Sequence, residues 1–391
     1  MTGAGAPGPR PRVTTGLEAL AEDGFRLLEG RRVGLLTHPA AVLPDLRHGL
    51  DALLGAGVEV AAVFGTEHGF RGTAQAGASE DDRTDPATGL RVYDTYERGV
   101  PELAAMLAES GAEVLVVDLQ HTGARFYTYE SALHDALAAA ALAGVAVVVP
   151  DRPNPVGGLA VAGPVLDPAH ASFVGRAAVP VRHGMTMGEL AGLFCALLDV
   201  PPAEVVPMRG WRRADLFPAT GLPWVPPSPN MPTPATALAY PGTCLLEGTE
   251  LSLGRGTTTP FELCGAPWID GRLARRMNGR GLPGVRFREA YFTPASDTLA
   301  GERLCGVQLH VTDPAVFEPV RTGLELLTAV RDLWPDRLVL RPRMLDLLSG
   351  SGRLRLALEA GASAEEAAAS WQPELEAFAA VRARHLLYPA E

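Results

Sequence analysis

The sequence lacks most of the features that mark a cofactor, a membrane or a polyanionic partner. Its four cysteines, Cys195, Cys244, Cys264 and Cys305, form no Cys-x-x-Cys pair, which removes the usual zinc and redox motifs. Four is an even number, but a disulfide framework is a device of small secreted chains. Cys195 and Cys305 sit in apolar runs and read as small core residues. No apolar run spans a bilayer; the longest, Ala136 to Val149, is broken by Gly144. The first residues, MTGAGAPGPRPRVTTG, carry Arg, Gly and Pro without an apolar stretch, so no secretory signal peptide is expected and a cytoplasmic location is the default. No Lys/Arg cluster stands out against a formal net charge of −11. Neither nucleic acid nor an anionic membrane is therefore an expected partner. An anionic small substrate would need a local pocket of Arg.

What is present is ordinary globular composition, 47% apolar and 20% charged over 391 residues, which is long enough for two domains. Strand and helix patterns alternate. Arg31 to Thr37, Val58 to Phe64, Val114 to Leu119 and Val145 to Val149 read as buried strands. Leu46 to Leu54 has helical spacing, and Tyr129 to Leu142 is an Ala-rich helix ended by Gly144. Thr186 with Glu189, and Ser363 with Glu366, have the spacing of capping boxes. This alternation predicts a parallel sheet with right-handed crossovers. The stretch Pro223 to Pro241 is too Pro-dense for helix or central strand and reads as a linker or an ordered binding loop. Strands (Val285 to Phe287, Gly306 to Val311) and helices (Pro319 to Leu333, Ser363 to Ser370, Pro373 to Arg384) then alternate again.

The chemistry gathers where the first four strands end. THPA, GTEHGFRG, DLQHTGARFYTY and PDRPNPVGG follow them in turn, and in open parallel sheets the ligand crevice lies beyond the strand carboxyl ends. Turn formation explains the glycines there but not the Glu, His, Arg, Gln and Tyr. A dinucleotide would want Gly-x-Gly-x-x-Gly after the first strand, and THPAAV has no glycine. GRGT (Gly254 to Thr257) lacks the Lys of a phosphate loop. A metal site remains open, because His38, His68, His121 and His183 all fall in these loops and three of them could hold zinc; no His-x-x-x-His pair or His-x-Asp motif supports it. Carboxylate chemistry also remains. Glycoside hydrolysis needs a proton donor at the leaving oxygen. Glu67 stands between Gly65 and Gly69 and beside His68 and Arg71, with Asp118, Asp151, Glu247 and Glu262 as further acids.

GTEHGFRG, ARFYTY, DRPNPVGG with a later GPV, VRHGMTMGEL, PSPNMPT, YPGTCLLEGT, GRGTTTPFE and GAPW occur in this order. Together they resemble the exo-β-N-acetylmuramidase (NamZ-like) family, long carried as a domain of unknown function, from about Gly16 to Tyr388. The resemblance implies an α/β fold with a Rossmann-like parallel-sheet N-terminal domain and a smaller C-terminal α/β domain, the active site lying in the cleft between them. For this chain we expect a disordered tail over 1–13, the first domain over 14–205 and the second over 206–391. The implied activity is removal of non-reducing-end N-acetylmuramic acid from peptidoglycan fragments, without nicotinamide cofactor; we expect a small glycan substrate, a place in cell-wall recycling, and no other cofactor or metal. Glu67 carries over as the general acid, with His68 and Tyr127 tuning or orienting it. Arg71, Arg125 and Arg255 are the candidates for the sugar's lactyl carboxylate. Asn154 and Asn230 are candidates for hydroxyl or acetamido groups, and Gln120, His121 and Glu247 complete the expected substrate-binding set.

Three positions depart from the family pattern. Thr66 stands where Pro is usual before the Glu, His121 where Gln-Asp-Val-Gly has its Asp, and Glu250 where Asn is usual. If that Asp were a second catalytic acid, the chain would be a glycan-binding protein that has lost catalysis; a metal-dependent hydrolase using the loop histidines is the other alternative.

Overall fold

Continuous apolar runs such as VGLLT and VLVVD have no polar face to offer water, so they suit only a sheet covered on both sides. The structure, a computed structural model that describes residues 11–390, buries every residue of both runs. In chain order the strands of this half are β1 (Val33–Thr37), β2 (Val60–Gly65), β3 (Arg83–Thr84), β4 (Arg91–Asp94), β5 (Val114–Asp118) and β6 (Ala146–Pro150). A two-stranded ribbon of β7 (Ala162–Val165) and β8 (Pro180–Arg182) follows, and then β9 (Glu204–Val206). The sheet order is β3-β4-β2-β1-β5-β6-β9, parallel except for β3 against β4. β1 leads to β2 on one side, while β5 leads to β6 on the other. The crevice of such a sheet lies beyond the carboxyl ends of β1 and β5.

The rest of the chain builds an antiparallel sheet, β10 (Leu263–Ala266), β11 (Val285–Phe292) and β12 (Leu304–Val311), in the order β10-β12-β11. Helices surround it. Those at Pro234–Thr243 and Pro319–Leu333 cross at a pair of glycines: a Cβ on Gly242 would lie 1.8 Å from the Pro319 carbonyl oxygen, and one on Gly323 2.2 Å from that of Gly242. One apolar core runs from the sheet face carrying Leu36, Leu115 and Val117 through Tyr127 and Tyr240 to Phe261 and Leu327. Leu17, Leu50, Leu53 and Val116 fill the other face.

Several expectations need correction. Leu46 is not helical: it has φ 68 and is 58% exposed, and the helix spans Gly49–Gly55. His48 precedes that helix and accepts the Leu50 N–H on Nδ1. Part of the Pro-rich stretch is helical, Pro234–Thr243. Pro234 takes the first helical position, where its missing N–H is not needed, and Thr233 Oγ1 accepts the Thr236 N–H. Residues 11–13 of the expected tail are ordered, where Arg12 pairs with Glu18 and Val13 is buried; residues 1–10 lie outside the described residues. The capping boxes at Thr186 and Ser363 form as expected.

Candidate active site

Glu67 follows β2 in a tight turn. His68 has φ 72, and Gly69 has φ 80 at a place where a Cβ would lie 2.2 Å from Glu80 Cγ. Glu80 gathers the loop by accepting from Arg71 N, Thr73 N and Oγ1, and Arg83 Nη2. The same loop brings Gly77 N to 2.7 Å from Glu67 Oε1. From the other side Thr128, first residue of the helix Thr128–Ala143, donates its hydroxyl to Glu67 Oε2 at 2.5 Å. The Thr hydroxyl is donor or acceptor as required, so it holds the carboxylate and the carboxylic acid alike. His68 Nδ1 lies 3.1 Å from the Ala74 carbonyl oxygen and must donate there.

Tyrosines surround this carboxylate. Burial, with the Glu67 charge adding to it, raises the phenols of Tyr96, Tyr127 and Tyr129, so all three remain neutral donors near pH 7. The Tyr127 hydroxyl lies beside Ser228 and within the electrostatic reach of both Glu67 and Arg255. Tyr96 is half-buried and meets Phe173 edge-on at 5.3 Å.

Arg255 stands over the Phe261 ring at 4.8 Å. Its Nε and Nη2 donate to Glu247 Oε1 at 3.1 and 2.5 Å, and Asp297 Oδ2 lies 3.1 Å from Nε. Against the cost of burial, Glu247 raises the guanidinium further above its ordinary range. Asn230 is partly exposed in the turn that also carries Ser228.

Other expected site residues lie elsewhere. Arg71 grips Asp85 through Nε and Nη2 (3.2 and 2.8 Å) and covers the Phe70 ring. Arg125 is fully enclosed, donating Nη1 to the Pro164 and Val179 carbonyls (2.8 and 3.0 Å) and Nη2 to that of Leu348 (2.6 Å); burial lowers it to about 10, still charged at neutral pH. Asn154 uses Nδ2 on the Met185 carbonyl and Oδ1 on Val156 N, closing a turn rather than facing a ligand. Gln120 donates to the carbonyls of His121 and Pro153 at the crevice, while its own N–H reaches His38 Nε2. Of the further acids, Asp118 is paired with Arg152, Asp151 is held by Thr186, Gly188 and Tyr388, and Glu262 takes the Thr236 hydroxyl.

His121 turns inward. Its Nδ1 and the Nε2 of His183 lie 3.1 and 2.8 Å from the same oxygen of buried Glu130. Burial pushes the Glu130 carboxyl up, but His183 and His121 outweigh it and bring it to about 2. This group could hold a metal by its spacing, but its protons argue otherwise. His183 Nδ1 accepts the Met185 N–H, so Nε2 carries the ring proton and donates to Glu130. A metal-bound imidazole instead donates from its second nitrogen. His121 and His183 thus belong to a hydrogen-bonded cluster, and His38 and His68 lie outside it.

Sequence reasoning missed Thr128, Gly77, Tyr96, Ser228 and Asp297. Thr128 and Ser228 lie inside quoted motifs. Nothing local in the sequence marks Tyr96, which arrives because β4 pairs beside β2 and Thr95 hydrogen-bonds the Gly65 carbonyl through N and Oγ1 (both 2.8 Å).

A parallel sheet that holds a carboxyl group at its carboxyl-end loops among neutral phenols offers the proton donor that a hydrolase of the glycosidase kind needs. The comparisons agree. Models of the N-terminal and C-terminal parts of the exo-β-N-acetylmuramidase NamZ match residues 33–235 and 238–388. The chain is 42% identical over 383 residues to the peptidoglycan β-N-acetylmuramidase NamZ of Bacillus subtilis (strain 168), covering 97% of this chain and 92% of that protein. Two crystal structures of DUF1343 family proteins from Bacteroides fragilis NCTC 9343 superpose with TM-scores of 0.89 and 0.79, at 35% and 31% identity; each alignment covers 97% of this chain and all of the other. The chain belongs to the NamZ exo-β-N-acetylmuramidase family. Among the described residues no helix is long and apolar enough to cross a membrane.

Proposed function

We propose that this chain is an exo-acting glycoside hydrolase that releases N-acetylmuramic acid from the non-reducing end of peptidoglycan fragments, with Glu67 as general acid. The observation that carries the reading is the Glu67 carboxyl group, fixed by Gly77 N and Thr128 Oγ1 at the sheet's carboxyl edge. An acid protonating the leaving oxygen must be held in one place, and the neutral phenols of Tyr96 and Tyr127 supply donors beside it without adding charge. Arg255 is the lactyl-carboxylate residue on this reading. The chain has no lysine, and a planar guanidinium suits a two-oxygen anion. Arg71 and Arg125 are left as loop and core braces. We place the activity in cytoplasmic recycling of soluble fragments, a setting that suits four cysteines that are all free and buried.

The reading predicts preference for an N-acetylmuramic acid glycoside over the N-acetylglucosamine one. A hydrogen bond to a charged group contributes about 1.5–3 kcal/mol, or roughly 10–150-fold in kcat/KM. Arg255→Ala should shrink that ratio, mainly through the muramic acid substrate; equal turnover of the two glycosides by the wild type would defeat the reading.

The runner-up, a binding protein without catalysis, draws on His121, which is committed to Glu130 and cannot act as a carboxylic acid. Turnover of either glycoside that Glu67→Gln slows excludes it.

A further inference from the structure

Arg255 faces a cavity of about 170 Å³ lined by Glu247, Ser252, Arg255, Asp297, Thr298 and Arg341 among others. Two carboxylates already attend this one guanidinium, and they are held differently. Glu247 lies in the helical turn Cys244–Gly248 and receives both of the guanidinium's hydrogen bonds. The Nε proton is therefore spent, and Asp297 is held at 3.1 Å by charge. Nη1 donates to no group among the described residues.

Asp297 also differs in its backing. Its side chain is 44% exposed, against 26% for Glu247 and 15% for Arg255. It sits in the connection between β11 and β12, at φ 69, with Leu299 at φ 62 close behind. The loop is pinned to the Gly254–Thr257 turn, where Ala295 N donates to the Gly256 carbonyl at 3.1 Å and a Cβ on Gly256 would meet Ser296 N at 2.4 Å. The pin fixes the loop's base on the Arg255 turn, and the Asp297 carboxylate projects from it into the cavity mouth.

We propose that Asp297 is a tethered competitor for the substrate's carboxylate on Arg255, and that it sets how strongly the site favours N-acetylmuramic acid over N-acetylglucosamine. The inference rests on Arg255 being the lactyl-carboxylate residue. Counted formally, Arg255 with Glu247 and Asp297 carries −1 and Arg341 in the same lining brings the cavity to zero, so a third carboxylate meets no spare positive charge. An exposed ion pair is a weak restraint, so the substrate anion takes the place of Asp297 rather than that of Glu247. Asp297 thereby tempers affinity for the acidic sugar and keeps the guanidinium oriented before substrate arrives.

The test is Asp297→Asn, which keeps the Oδ1 that accepts the Thr298 N–H at 2.6 Å and removes only the charge. Kinetics on paired chromogenic N-acetylmuramic acid and N-acetylglucosamine glycosides should show KM for the acidic sugar falling about 2–5-fold, equivalent to about 0.4–1 kcal/mol. The ratio of the two KM values should move by the same factor, with kcat for the acidic sugar far less affected. In an Arg255→Ala background the same change should do nothing further, as a coupled pair requires. A rise in KM, or an equal shift for both sugars, overturns the competitor role. If Arg255→Ala abolishes the preference while Asp297→Asn has no effect, this inference fails and the lactyl reading stands; if Arg255→Ala leaves the preference intact, the lactyl reading itself fails.

Discussion

Glu67→Gln is the sharpest perturbation of the proposed chemistry because it changes little else. Glutamine keeps a carbonyl oxygen for the Gly77 N–H at 2.7 Å. Its amide can donate to Thr128 Oγ1, reversing the 2.5 Å hydrogen bond without breaking it. The fold should therefore hold, with the melting temperature moved by only a few degrees, since a typical hydrogen bond contributes about 0.5–1.5 kcal/mol. What is lost is the proton. General acid catalysis contributes about 10²–10⁴-fold, which corresponds to roughly 2.7–5.4 kcal/mol of barrier. The assay is release of N-acetylmuramic acid from a disaccharide, followed beside hydrolysis of the nitrophenyl glycoside. Nitrophenolate leaves with little protonation, so its kcat should fall less than that of the disaccharide. A mutant that turns over the disaccharide at nearly the wild-type rate would refute the assignment; equal losses on both substrates would point to a positioning role instead.

Arg125→Leu should destabilise the fold by about 1–3 kcal/mol for each buried acceptor left unsatisfied, because three enclosed carbonyls lose their donor. Denaturant titration measures that loss, and the preference between the two glycosides should survive in the folded fraction; a collapsed preference would return Arg125 to the substrate. Stability should also fall in acid. Burial lowers His38 and His48, His38 furthest with Arg152 adding to it, so the unfolded chain takes up protons that the fold refuses, and the stability present above about pH 6.5 is lost as pH falls below it. Asp151, raised by burial to about 6, acts in the opposite direction between about pH 4 and 6, so it partly offsets the histidine loss there. Thermal melts between pH 7 and 4 would contradict this if stability rose with acid.

The parallel sheet and the place of Glu67 at its carboxyl end were legible because their signals are local. VGLLT and VLVVD are long enough to name themselves, and the rule that loops beyond strand carboxyl ends carry the chemistry needs no long-range knowledge. The arginines were not separable in this way. Arg125 and Arg255 lie in equally suggestive motifs, yet Arg125 is enclosed because Leu348, 223 residues further on, folds onto it. Asp297 and Tyr96 escaped notice because each reaches the site through pairing. β3 and β4 have only two and four residues, too few to show a period, and Asp297 depends on the register of β11 with β12. The helix within the Pro-rich stretch was missed because the density of prolines was weighed and their positions were not: Pro234 follows its capping Thr233, where a proline favours a helix.

The most direct measurement is product analysis by mass spectrometry after incubation with a defined peptidoglycan disaccharide bearing N-acetylmuramic acid at the non-reducing end. The account predicts free N-acetylmuramic acid and N-acetylglucosamine in equal amounts from the wild type, and release slowed by about 10²–10⁴-fold in Glu67→Gln. No cleavage by the wild type, or cleavage of the isomer that begins with N-acetylglucosamine at a comparable rate, would contradict it.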